Sequence, residues 1–231
     1  MRRVIAAATP IALSYIPIGL VCGILGSKCG IGPGAAAVLS ATIISGSAQF
    51  MISNMWLAGL PAATIVASVC AVSLRFALYS ASLAPYLQRT RKRTALAMAL
   101  TLIEEGYGVT LAKLADGDRD WTFRHALVLN AITIATWVAS VAAGATLGAV
   151  IDIPTAIAGF AMTALFIYLL WDQLQGGSIG NAVAAAVGAA VVACKLVGWT
   201  AVAVPLAAVA GVIAALAAAH ANDSKKGGET K

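Results

Sequence analysis

The sequence predicts an all-α fold: a polytopic helical membrane protein of about seven transmembrane helices, with six to eight compatible with the pattern. Three observations carry this prediction. Of the 231 residues, 61% are hydrophobic and 10% are charged, against about 25% charged in a soluble domain. Mean hydropathy is +0.91. Apolar runs of roughly 20 residues follow one another along nearly the whole chain, whereas barrel strands would be about 10 residues long and would alternate.

The runs fall at roughly 5–28, 33–57, 61–86, 94–114, 124–150, 154–174, 179–195 and 199–219. Cys29-Gly30-Ile31-Gly32-Pro33-Gly34 ends the first, and Gly59-Leu60-Pro61 ends the second. A basic turn, Arg89-Thr90-Arg91-Lys92-Arg93, follows the third, and the polar loop Asp116-Gly117-Asp118-Arg119-Asp120 follows the fourth. Asp152-Ile153-Pro154, Gln175-Gly176-Gly177-Ser178 and Leu196-Val197-Gly198 are the later turns. Trp121, Trp171 and Trp199 stand near run ends, where interface aromatics belong. One integral membrane domain, residues 1–221, leaves a polar tail at 222–231. Met1-Arg2-Arg3 before an apolar run resembles a signal peptide, but the run is of full span length without an Ala-x-Ala site, so it reads as a retained first helix.

Charge parity constrains the path. Arg2 and Arg3 place the N-terminus in the cytoplasm, and Arg89, Arg91, Lys92 and Arg93 place their turn there too. Three full crossings between them would put them on opposite sides. One of the first three runs is therefore expected to turn back. The best candidate is 33–57, whose middle is the polar, glycine-broken Ser45-Gly46-Ser47-Ala48-Gln49-Phe50. Irregular backbone at membrane depth must line a cavity or lie within protein. The alternative is a kinked but complete span with a weak N-terminal charge signal. The glycine pairs Gly19/Gly23 and Gly144/Gly148 suit close helix packing. No convincing internal repeat is visible.

The chemistry is concentrated in three charges. Arg75 stands alone in an uncharged stretch from Cys29 to Gln88, and Glu104 and Glu105 interrupt the next run. An ionisable group at the centre of a span costs on the order of 2.5 kcal/mol or more, so such residues mark function or a specific pair. Counting along straight helices from the basic turn puts Arg75 and Glu104 both roughly 15–17 Å deep. Ser68, Arg75, Tyr79, Ser82 and Tyr86 fall on one helix face, and Thr101, Glu105 and Gly108 on another. Adjacent Glu104 and Glu105 point about 100° apart, which gives them different neighbours. The functional reading is substrate binding or proton movement; the structural one is an Arg–Glu pair that fixes helix register. Arg75 suits a carboxylate through its planar fork of donors. Gln49, Ser45, Ser47 and the exposed backbone of a broken helix near Gly46 add hydrogen-bonding groups, and Tyr79 shares the Arg75 face. Walls of Val, Ile, Leu and Ala favour an aliphatic tail. The pattern points to a small zwitterion or organic acid.

Other classes are poorly supported. The net charge of +6 is spread over loops and termini and forms no nucleic-acid stripe. Cys22, Cys29, Cys70 and Cys194 form no CxxC or Cys/His cluster, and His125 and His220 stand near run ends, so no metal or other cofactor is expected. No nucleophile constellation or phosphate loop is present, and no enzyme is expected.

Gly46-Ser47-Ala48-Gln49-Phe50, then Ser73-Leu74-Arg75-Phe76-Ala77-Leu78-Tyr79, Ser82-Leu83-Ala84-Pro85 and Glu104-Glu105 resemble, in order and spacing, the AzlC family, the large subunit of bacterial branched-chain amino acid permeases. The resemblance covers about residues 5–175. It departs from the family pattern at Ser73, Phe76 and Glu104, where asparagine, histidine and aspartate are common. It implies an inner-membrane, multi-pass exporter of valine, leucine, isoleucine or related small amino acids. It also implies a small hydrophobic partner subunit of the AzlD type. Coupling to the proton motive force fits it, with Glu105 as the proton-carrying group and Glu104 beside it. The alternative is a passive channel or a regulatory membrane subunit without active transport.

Overall fold

Every element in the computed structural model is an α-helix among the described residues, which are 1–88, 90–117, 120–151 and 178–198 with scattered positions at 160, 164, 167, 171 and within 206–217. In chain order the helices are α1 (Arg2–Lys28), α2 (Pro33–Thr42), α3 (Gly46–Leu57), α4 (Ala62–Leu87), α5 (Lys92–Leu100), α6 (Glu104–Ala115), α7 (Phe123–Val150) and α8 (Ser178–Leu196). Among them α1, α4 and α7 are long and apolar enough to cross a membrane. The chain forms two compact units, one of residues 1–58 and 73–159, the other of 59–72 and 160–231, with α4 continuous through both.

In the first unit α1 and α7 are the scaffold, and they run parallel. Arg3 pairs with Asp120 at 3.1 Å just before α7 begins. Val4 and Ala8 pack on Trp121 and Leu129. Farther along, Gly19 meets Ser140, Gly23 meets Val141 and Ala145, Gly144 meets the Leu20 backbone and Gly148 meets Ile24 and Ser27. A Cβ on Gly19 would lie 2.7 Å from the Ser140 Cβ, so the glycines are what permit this approach. Large apolar side chains such as Leu13, Ile16, Leu74, Leu78, Leu96 and Leu100 point outward. That face suits hydrocarbon, which solvates no polar group.

The expected irregularity in 33–57 is a helical hairpin. Pro33 at the first position opens α2, and the backbone leaves helical geometry at Ile43 (φ −101°, ψ 86°). It re-enters at Ser45, whose hydroxyl accepts from the Ala48 N–H at 3.3 Å as an N-cap. The α3 arm then runs alongside α1: Gly46 sits against Trp137, Gln49 meets Cys22, and Ser53 accepts from Cys29. Thus α3 returns to the end of α1 from which α2 departed, and the segment is re-entrant.

The run at 94–114 does not match its expectation as a single span. It breaks at Thr101–Ile103, and α6 starts at Glu104. Met98 and Leu102 pack with Leu83 and Ala126, while Leu87, Leu111, Leu114 and Phe123 join the same cluster. The end of α4, both outer ends of this second hairpin and the start of α7 therefore share one side with the N-terminus. Arg2, Arg3, Arg91, Lys92 and Arg93 lie together on that side, as charge parity requires.

The two hairpins share a plan. The first has arms of 10 and 12 residues about Ile43–Ser45; the second has arms of 9 and 12 residues about Thr101–Ile103. They enter from opposite sides, a relation that the sequence pattern does not reveal.

In the second unit α8 ends at Leu196, and Gly198 takes φ +82°, the left-handed turn position that glycine tolerates. Gly211 then lies against Val187 and Val183, as in an antiparallel helix pair. Trp121, just before α7, is 6% exposed and packs on Val4, Ala8 and Leu129; Trp171 is exposed. The cysteines are free, with Cys22 and Cys194 buried and Cys70 exposed. Most of the runs at 154–174 and 199–219, together with Arg89, Asp118, Arg119, Trp199, His220 and the tail, lies outside the described residues.

Candidate functional site

The two hairpin tips converge on Arg75. It projects from α4, 12 residues before the end at Leu87, or roughly 18 Å along the axis. Its Nη2 donates to the Ser47 hydroxyl at 2.7 Å, in the first turn of α3. Its Nη1 lies 2.9 Å from Glu104 Oε2, in the first turn of α6. Its Nε is buried without a hydrogen-bond partner. The side chains of Arg75 and Glu104 are 26% and 34% exposed, so the pair is neither sealed in nor open. Cζ of Arg75 also lies 5.3 Å from the Phe76 ring centre.

Each tip brings the N-terminal end of a half-helix to this point. The first N–H groups of a helix lack intrahelical acceptors, and the helix dipole adds partial positive charge there. Glu104 and Glu105 occupy the first turn of α6, where that field favours carboxylates. Their side chains diverge, as adjacent helical residues must. Glu104 turns to α4, where Oε1 accepts from the Tyr79 hydroxyl at 3.3 Å. Glu105 turns to α1 and accepts from the Tyr15 hydroxyl. Tyr79 stacks on Tyr107 at 4.4 Å, and the Tyr107 hydroxyl meets Ser82 at 2.8 Å. Arg75, Tyr79 and Ser82 of the expected α4 stripe thus face the second hairpin; Ser68 belongs to the other unit and is buried.

Of the expected substrate-binding residues, Arg75, Ser47 and Tyr79 are brought together, with Ser45 3.2 Å from Ser47. Ser45 is committed to capping α3. Gly46 is a contact point: a Cβ there would lie 2.9 Å from the Trp137 ring. Gln49 is placed differently. It is 2% exposed, its Nε2 donates to the Ile43 carbonyl at 2.6 Å and its Oε1 accepts from Ser40 at 2.9 Å. It bridges the break in the first hairpin and satisfies the loose end of α2.

Sequence reasoning missed Tyr15 and Trp137. They meet edge to face at 5.4 Å, at the midpoints of α1 and α7, and connect Glu105 to the Gly46 tip. A tyrosine halfway along an apolar run was the available signal for the first. Asn130 was missed as well; its fully buried amide rests against Gly106 in the first turn of α6. The arrangement holds one cation and two carboxylates at mid-membrane, each on a different helix contact. It is suited to exchanging partners among charged groups.

The sequence model of the AzlC protein family matches residues 10–151, which contain both hairpins and all three charges. The inner membrane protein YgaZ of Escherichia coli (strain K12) is 29% identical over 209 residues, covering 88% of this chain and 83% of that protein. The branched-chain amino acid transport protein AzlC of Bacillus subtilis (strain 168) is 25% identical over 166 residues, covering 71% of this chain and 64% of that protein. No solved structure matches. With the family match running over more than half of the chain and through the site, the chain belongs to the AzlC family and is a multi-pass membrane transporter of the inner membrane.

Proposed function

We propose that this chain is the large subunit of a secondary transporter that exports branched-chain or other small aliphatic amino acids, coupled to the proton motive force. The observation that carries this reading is Arg75, held at mid-membrane between the tips of two oppositely oriented hairpins. A guanidinium there is a receptor for a carboxylate, and the α3 N-terminus adds backbone donors for the same group. Ser47 and Tyr79 border that point. Glu105, bonded only to the Tyr15 hydroxyl among the contacts described, is the group that takes up and releases the coupled proton. The named activity of the Bacillus subtilis relative supports the substrate class.

The working unit pairs this chain with a small hydrophobic membrane subunit of the AzlD type. The test is flux of radiolabelled leucine, isoleucine and valine in proteoliposomes, with this chain alone and with the small subunit, with and without an imposed pH gradient. Uphill flux that needs the gradient and both chains is expected. Flux indifferent to the gradient indicates a passive pore, and no flux under any condition indicates a regulatory subunit.

A further inference from the structure

We propose that the Arg75–Glu104 ion pair is the receptor for a whole zwitterion: substrate enters between its two halves, giving its carboxylate to Arg75 and its ammonium to Glu104. This rests on the transport reading above and deepens it by assigning Glu104 to recognition of the α-amino group.

The geometry sets the problem that substrate must solve. Arg75 gives one N–H of Nη2 to Ser47 and one N–H of Nη1 to Glu104, and its buried Nε has no hydrogen-bond partner. In this proposal the substrate carboxylate takes the Nη1 edge of Arg75 that Glu104 now holds, and so displaces Glu104. In this setting a displaced carboxylate needs a new cation, because lipid and apolar side chains supply none. An α-amino acid carries that cation one carbon away from its own carboxylate. Insertion therefore exchanges one ion pair for two and leaves no charge unmatched. A simple carboxylic acid strands Glu104, and a simple amine strands Arg75. The site thus rejects both by unpaired charge and not by shape, a stronger form of discrimination than a missing methylene.

The neighbours are arranged for this exchange. Glu104 keeps the Tyr79 hydroxyl on Oε1 when Oε2 changes partner. Arg75 keeps Ser47 on Nη2. Glu105 is occupied by Tyr15 on the other side of α6, so it does not compete for Arg75. The pair also joins α4 to the second hairpin's tip, so inserting a molecule between its halves moves that tip relative to α4.

The experiment measures equilibrium binding to the purified full chain in lipid nanodiscs. The probes are leucine, 4-methylpentanoate, which lacks the ammonium, and 3-methylbutylamine, which lacks the carboxylate. Wild type is expected to prefer leucine to either by about 30-fold or more, the cost of an unpaired, partly buried charge. In Glu104→Gln, leucine should weaken about 10-fold or more while 4-methylpentanoate binds as well as or better than in wild type, since glutamine no longer competes for Arg75. The leucine preference over 4-methylpentanoate should then fall to within about 3-fold. Equal weakening of both ligands, or unchanged leucine binding, overturns the assignment. Should Glu104→Gln fail to accumulate, Glu104→Asp decides the matter. Its shorter carboxylate should shift preference from leucine toward the β-amino acid 3-amino-4-methylpentanoate by about 5-fold, and an unshifted preference overturns the proposal. Wild-type protein that binds none of leucine, isoleucine and valine overturns both this inference and the transport reading. Leucine binding with an unaltered ligand ratio in the variants overturns only this one.

Discussion

Arg75 and Glu104 close a 2.9 Å ion pair between a continuous helix and the first turn of a half-helix that begins inside the membrane. A third element, the first hairpin, reaches the same guanidinium through Ser47. A single side chain therefore joins α4 to the tips of both hairpins.

Arg75→Gln should reduce leucine flux about 100-fold or more, since two charge-assisted hydrogen bonds to a carboxylate are lost. The protein should still insert and accumulate. Arg75→Lys should recover little, because a point charge does not reproduce the fork. Proteoliposome flux normalised to inserted protein measures this, and near-normal transport by the glutamine variant removes Arg75 from recognition.

Glu105→Gln should abolish the response of flux to an imposed pH gradient while leucine-for-leucine exchange continues at a rate within about 3-fold of wild type. Tyr15 keeps a hydrogen-bond acceptor in this variant, so the tip of α6 stays in place. An unchanged gradient response assigns the proton to another group.

The two hairpins make a labelling prediction that single crossings would not. In a background lacking the four native cysteines, Gly32→Cys should react with an impermeant thiol reagent from one face only. Lys92→Cys and Asp116→Cys should both react from the opposite face. Labelling of Lys92 and Asp116 from opposite faces would mean that 92–115 crosses the membrane.

Accessibility should also separate two residues of one half-helix. Ser47→Cys, beside Arg75, should react with a small impermeant reagent and be slowed by leucine. Gln49→Cys should stay inert, because that position is 2% exposed and faces α2 and α1. Equal reactivity at both would show a first hairpin looser than the one described.

Gly46→Ala places a methyl group 2.9 Å from the Trp137 ring. Overpacking of this kind costs about 1–3 kcal/mol, and here it pushes the tip carrying Ser47 away from α7. Flux and thermal stability in detergent should both fall. Trp137→Leu should restore much of the loss in the double variant, measured as a double-mutant cycle. Additive effects would mean that the two residues do not meet.

Much of this architecture is written in the sequence. Hydropathy alone defines a helical membrane protein, because a bilayer admits backbone only as helices or closed barrels. Charge parity pointed to a segment that turns back, and the polar, glycine-broken Ser45-Gly46-Ser47 made 33–57 its best candidate over a kinked but complete span. The isolation of Arg75, Glu104 and Glu105 marked the candidate site, because unpaired charge at that depth is too costly to be incidental. The second hairpin was not legible. Thr101-Leu102-Ile103 contains no glycine or proline, and β-branched and apolar residues suit a continuing helix as well as a break; the acidic pair followed by Gly106 was the one cue to a new helix start. The assignment of Gln49 also needed tertiary structure, because a polar side chain near a break serves a substrate and the loose backbone of that break equally well. Only the fold shows its amide spent on Ile43 and Ser40. Tyr15 and Trp137 joined the site for the same reason: they lie far apart in the chain and meet only because parallel α1 and α7 bring their midpoints together. Composition and charge fix which groups must be sheltered, whereas the packing of distant helices decides which of them shelter one another.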